Sequence, residues 1–566
     1  DFRGKITCYC SYLKLALKVM KPYLPQNDPD PTKRQILLER NQGVYEFDYE
    51  FLAPMAMLKN VPSIENFSTK YIAERTLETA ELPINMLAVK TRSLWDPLDE
   101  LQDYEDYFPV LPKPSVIKTY QTDNSFCEQR LCGANPLVLR RIKEMPDGLA
   151  FTILELQEKF GDSINLLEKL ANGNLYVADY RTLAFVKGGT YERGKKYLPT
   201  PIAFFCWRSS GFSDRGQLVP IVIQINPADG KQSQLITPFD DPLTWFHAKL
   251  CVQIADANHH EMSSHLCRTH FVMEPFAIVT ARQLAENHPL NLLLKPHFRF
   301  MLANNDLARK RLISRGGPVD ELLAGTLQES LQIVVNAYQE WSLDQFSLPT
   351  ELKNRGMDDP DNLPHYPYRD DGLLLWNTIK KFVSEYLQIY YKTPQDLTAD
   401  LELQSWAQEL VSQSGGRVKG VSNRIDTLDQ LIDIATAVIF TCGPQHAAVN
   451  YSQYEYMTFM PNMPLAAYKQ MTTEGTIPDR KSLLSFLPPS KQTADQLSIL
   501  FILSAYRYDR LGYYDDKFLD PEAQDVLAKF QQELNEAERE IELNNKSRLI
   551  NYNYLKPRLV TNSISV

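Results

Sequence analysis

WFHAKLCVQIADANHHEMSSHLCRTHFVMEP, residues 245–275, reads as one long, largely apolar helix in which imidazoles are concentrated. Of nine histidines in 566 residues, His247, His259, His260, His265 and His270 fall here, and His288 and His297 follow soon after. Such clustering asks for a metal ion. His260, His265 and His270 recur every five residues. Five steps of an ordinary α-helix turn a side chain by roughly 140°, so their rings would diverge. A π-type segment, whose turns close from i to i+5, brings them to nearly one face. A zinc-protease helix needs two histidines four apart with a glutamate between them. His260-Glu261-Met262-Ser263-Ser264-His265 is one residue too long for that.

Composition narrows the remaining classes. Hydrophobic residues at 44% and aromatics at 11% can furnish a large core, and a net charge of −10 argues against a nucleic-acid surface, which needs concentrated Lys and Arg. Eight cysteines (8, 10, 127, 132, 206, 251, 267, 442) form no paired zinc-ribbon pattern and suit reduced, buried thiols in a cytoplasmic setting. No apolar run reaches the ~18–20 residues of a spanning helix. The sequence starts at Asp1 rather than Met, so a removed targeting segment would be invisible to this reading.

A mainly α fold is expected, one large helical catalytic domain over 31–566 with a small β-sheet subregion and an N-terminal extension over 1–30. Residues 5–24 place Tyr9, Tyr12, Leu13, Ala16, Leu17 and Met20 on one helical face and Lys14, Lys18 and Lys21 on the other. That helix suits either packing on the main body or a peripheral contact with an anionic lipid surface. Residues 25–33 read as a hinge, Val44–Arg75 and Leu77–Val89 as helical, and Trp95–Thr122 as irregular. Leu175–Tyr180 and Leu218–Gln224 read as short strands. Asn304–Trp341 is helical with a break at Arg315-Gly316-Gly317-Pro318. Beyond an apolar helix over Leu431–Thr441, His446 and Asn450 stand four apart and share a face.

The spaced histidines 260, 265, 270, 288 and 297, with Trp245, Ala248, Lys249 and Asp256 before them and Glu274-Pro275 among them, resemble the signature of the lipoxygenase family. Phe126–Pro136, Asp371–Trp376 with its continuation to Tyr391, and the closing Thr561–Val566 are similar to further family segments, so the resemblance runs from about residue 123 to 566. Many lipoxygenases carry a β-barrel lipid-binding domain in front. This chain lacks the length and strand alternation for one, and so looks like the short, bacterial form.

By position, the resemblance implies a metal held by His265, His270, His446, Asn450 and the terminal carboxylate of Val566, with His260, Glu261 and Gln453 as supporting hydrogen-bond partners. It implies a substrate and oxygen channel lined by Ala308, Leu312 and Val319. Imidazoles with hard oxygen donors suit one non-heme iron, and the same donors accept manganese. The implied activity is dioxygenation of polyunsaturated fatty acids containing a cis,cis-1,4-pentadiene. Hydrogen abstraction would be made by a ferric hydroxide, with no catalytic side chain beyond it. A hydroperoxide isomerase would share every ligand. A zinc hydrolase conflicts with the histidine spacing, and a non-catalytic lipid-binding protein conflicts with the complete ligand set.

Overall fold

Proline and aspartate punctuate the N-terminal part of the chain. The computed structural model describes residues 21–93, 98–209, 216–226, 234–470, 479–514 and 518–566. Helix α1 (Pro31–Val44) starts on a proline, and the Asp30 side chain accepts from the Lys33 N–H. Proline presets φ there and the carboxylate satisfies a free donor, so the run expected as a hinge is partly a helix cap. Arg34, buried on α1, is clamped by Glu402 and Asp28. Residues 5–20 of the expected amphipathic helix, Cys8, Cys10 and Trp95–Pro97 lie outside the described residues.

Val44–Arg75, expected to be helical, is mostly not. Strand β1 (Phe47–Asp48) pairs antiparallel with β2 (Met57–Leu58), and helix returns only with α2 (Thr69–Glu78) and α3 (Glu81–Ser93). Pro54 and Pro62 interrupt the stretch. The Asp48 side chain takes the Glu50 N–H, and the Leu58 N–H donates 2.7 Å to the distant, buried Glu274 carboxylate. Local side-chain capture and a tertiary partner thus override a weak helical periodicity.

The expected sheet is present. Helix α4 (Asp123–Cys132) precedes β3 (Arg140–Ile142), β4 (Leu175–Asp179), β5 (Ile202–Arg208), β6 (Gln217–Ile225) and β7 (Gln234–Ile236), which pair in chain order, all antiparallel. Leu175, Val177, Phe204 and Cys206 face a satellite cluster with Phe151, Leu156 and Phe160. Tyr176, Ala178, Ala203 and Phe205 face the main core. This two-sided alternation follows from the period of a strand.

Helix α5 (Pro242–His259) runs into a π-helical segment (His260–Phe271) and on into α6 (Val272–Gln283). Helices α7 (Met301–Arg311), α8 (Pro318–Leu322) and α9 (Leu327–Glu340) follow, interrupted at the expected Gly-Gly-Pro, where Gly316 has φ +72°. Helix α10 (Pro367–Tyr390) packs on α11 (Leu428–Phe440) and, beyond α12 (His446–Asn450) and α13 (Ser490–Ser504), on α14 (Pro521–Asn545). Phe382 and Phe530 stack there at 4.3 Å, and Arg548 grips buried Asp371 through two hydrogen bonds. The six described cysteines are buried. Among the described residues, no helix is long and apolar enough to cross a membrane.

His247, in the second turn of α5, lies edge-on to Phe486 at 4.2 Å, and neither ring nitrogen has a hydrogen-bond partner. Burial lowers its pKa to about 4. A base depressed in the folded state is neutral at no cost above its unfolded value near 6.5, and stability is lost as pH falls through that value toward 4. His247→Leu should therefore narrow the drop in urea midpoint between pH 7 and pH 5. An unchanged drop would show that His247 does not contribute to acid sensitivity.

Candidate metal centre

Two π-helical turns build the site. In the first, His265 and His270 come to one side, with their Nε2 atoms 3.2 Å apart and their ring centres 4.9 Å apart. Thr269 helps hold the wide turn by donating its hydroxyl to the His265 carbonyl at 2.6 Å. The second segment, Thr441–Gln445, contains Pro444, which has no N–H for a regular turn. It delivers His446 at the start of α12, with ring centres 5.4 Å from His265 and 5.0 Å from His270. A nitrogen from each of these three buried rings lies within 4.8 Å of the others.

Burial dominates their titration. His265 is lowered, His270 is lowered to about 3, and His446 falls well below its ordinary value, with the neighbouring rings adding to the depression of the last two. Neutral imidazoles with converging lone pairs are the form in which histidine binds a metal. Both ring nitrogens of His446 are buried without a hydrogen-bond partner. Such orphaned polar atoms inside a protein are costly, and a metal ion would satisfy the one that carries the lone pair.

The other expected residues fall around this trio. Asn450 is fully buried, its Nδ2 donating to the Leu503 carbonyl at 2.8 Å and its Oδ1 accepting from Gln453 Nε2 at 2.9 Å. The amide is thereby oriented, with Gln453 acting directly on its oxygen. Glu261 lies 3.5 Å from His260 Nδ1 and 3.8 Å from His265 Nδ1. Burial alone would raise this carboxyl, yet the two imidazoles outweigh it and hold it down at about 2. His260 turns its Nε2 to the Val449 carbonyl at 2.8 Å, with its ring stacked 5.6 Å from that of His265. His288 and His297, continuous with the run in sequence, go elsewhere. His288 pairs with buried Asp400, while His297 meets the Asn562 carbonyl of the tail at 2.8 Å.

The tail is pinned along its length. Ser563 donates to the Arg299 carbonyl, Tyr71 of α2 donates to the Ser565 carbonyl, and Val566 is 2% exposed. Gly443 admits it closely, since a Cβ there would lie 2.9 Å from the Thr561 carbonyl. Val566, Glu261, His265 and His270 share the wall of a cavity whose empty space, mouth included, is about 1050 Å³. Ala308, Leu312 and Val319 all line it, among mostly aliphatic neighbours. Arg75 of α2 and Arg311 also border it.

Sequence reasoning did not mark Asn305, whose Oδ1 lies 3.0 Å from His270 Nδ1. A single amide in a helical stretch carries no periodic signal, and only its contacts identify it.

Comparison with known proteins gives matches along most of the chain. A lipoxygenase family profile matches residues 57–554. The chain is 30% identical to the allene oxide synthase-lipoxygenase protein of Plexaura homomalla, over 94% of this chain but 53% of that protein, so it spans about half the relative's length. It is 32% identical to the linoleate 9/13-lipoxygenase of Pseudomonas aeruginosa, over 83% of this chain and 70% of that one. Among solved structures, a lipoxygenase crystallised anaerobically with arachidonate superposes with TM-score 0.90 at 29% identity, covering 97% of this chain and 84% of that chain.

His446→Ala should strip transition metal from the purified protein, whereas His247→Ala should leave it, because His247 lies outside the trio. Metal analysis by plasma emission checks this. Equal loss from both variants would show that the donor set is misassigned.

Proposed function

The chain belongs to the lipoxygenase family, and on that premise we propose that it inserts O2 into polyunsaturated fatty acids with a cis,cis-1,4-pentadiene, giving hydroperoxides. The observation that carries this reading is the cluster of three buried imidazoles, two of which, His265 and His270, line one apolar cavity. His265, His270 and His446 would hold one non-heme iron, with the oriented Asn450 oxygen and the Val566 α-carboxylate as oxygen donors. The same donors accept manganese. When bound, iron supplies the one-electron chemistry that removes a hydrogen atom from the methylene between two double bonds.

The chain's own part is positioning. Leu312 and Val319 hold the hydrocarbon and exclude water, while Ala308 leaves room beside the reacting carbons, so that geometry restricts where O2 can add. Gln453 and Glu261 fix the donors they touch, and His260 braces the π turn. Residues 31–566 serve as the catalytic body. The lysine-bearing segment 5–24 gives a cytoplasmic enzyme peripheral contact with anionic lipid.

Incubation with linoleate in air, followed at the conjugated-diene absorbance, tests the activity. A zinc-loaded protein without diene formation would sink it, and consumption of added hydroperoxide without O2 uptake would favour an isomerase. The tail gives a second test, because an α-carboxylate exists only at a chain end. Val566→Ile should keep iron and activity. Deleting Val566, or appending one Gly after it, should remove most of both. Full iron content in the extended protein would rule Val566 out as a donor.

A further inference from the structure

The amide of Asn305 has only one orientation open to it. Its Nδ2 lies 2.8 Å from Glu274 Oε2 and 3.1 Å from the His270 carbonyl, and both of those atoms accept. The nitrogen must therefore face them, which turns Oδ1, an acceptor only, to His270 Nδ1 at 3.0 Å. That contact is a hydrogen bond only if Nδ1 carries the proton. The lone pair of His270 is then left on Nε2, the atom 3.2 Å from His265 Nε2. Glu274 is held in its turn. It is fully buried, its Oε1 accepts the Leu58 N–H of β2 at 2.7 Å, and the Arg309 guanidinium lies 3.7 Å away.

We propose that Asn305 and Glu274 are positioning residues for His270, fixing its tautomer and ring angle, and that the brace ends on the β1–β2 hairpin, which makes residues 47–58 part of the metal site's support. This rests on His270 being a metal donor. Groups that hold the far nitrogen of a ligating histidine set its orientation and basicity, and their loss costs about 10–100-fold in metal affinity.

The test uses the iron-loaded protein. Iron kept through a timed chelator challenge is measured by emission spectrometry, the ferric EPR signal is recorded, and thermal melting reports the fold. Asn305→Leu, similar in shape but without an acceptor, should lose iron about 10–100-fold faster and alter the EPR signal. In Asn305→Asp combined with Glu274→Gln, the glutamine donates to the aspartate while the aspartate still accepts from His270, so retention should return part of the way, the donor to the His270 carbonyl being lost. If Asn305→Leu keeps its iron and signal while His270→Ala loses iron, the brace is wrong and the donor assignment stands. If His270→Ala keeps iron, the donor assignment itself fails. Should Asn305→Leu not melt cooperatively, the double variant decides alone, and a folded double variant that sheds iron quickly overturns the proposal.

Discussion

Three uncharged imidazoles with ring centres 4.9–5.4 Å apart can share a buried site only if their backbones approach from two directions and one helix presents residues five apart on one side. An α-helix of 3.6 residues per turn does not do this. The wider turn over His260–Phe271 does, and the packing around it follows. The segment is almost wholly buried, and several of its polar groups are answered from within, by Val449, by Asn305 and by the backbone of its own turn. Pro444 sets up a second irregular turn opposite the first, and His446 enters from there.

Around that centre the side chains divide by chemistry. Aliphatic residues from α7, α8 and α13 line the cavity, where an apolar wall favours a hydrocarbon and disfavours water. Two buried carboxylates of the body are paired with side chains from near and distant parts of the sequence. Asp400 is taken by His288 and Tyr391, and Asp371 by Arg548. Buried charges held in this way would leave an unpaired ion if one partner were removed, which ties the site's surroundings to the stability of the body.

The spacing of His260, His265 and His270 made the π turn legible, since no other regular helix puts such residues together. The Gly-Gly-Pro break and two of the sheet's five strands were legible for similarly local reasons, while the central strand Ile202–Arg208 was not. Two expectations failed to carry over whole. Val44–Arg75 has some helical periodicity, but prolines and the pull of Glu274 on Leu58 make it a hairpin and turns. The five-histidine run looked uniform, yet His288 goes to Asp400 and His297 to the tail. Asn450 and Val566 could be singled out only through resemblance to a family, because neither residue type is unusual where it stands. Asn305 could not be found at all, since its part depends on contacts that no pattern encodes.

The order in which such a site can assemble follows from where its contacts lie along the chain. Leu58 and Glu274 are 216 residues apart, His297 and Asn562 are 265 apart, Arg34 and Glu402 are 368 apart, and Tyr71 and Ser565 are 494 apart. Each contact closes a loop of hundreds of residues, and the entropy of closure has to be met before the contact repays it. Chains dominated by such pairings fold slowly and pass through partly organised states. The histidine helix is complete by mid-chain, but the residues that brace and seal it come from both ends. During synthesis, therefore, a nascent chain can display its imidazoles long before it can enclose them.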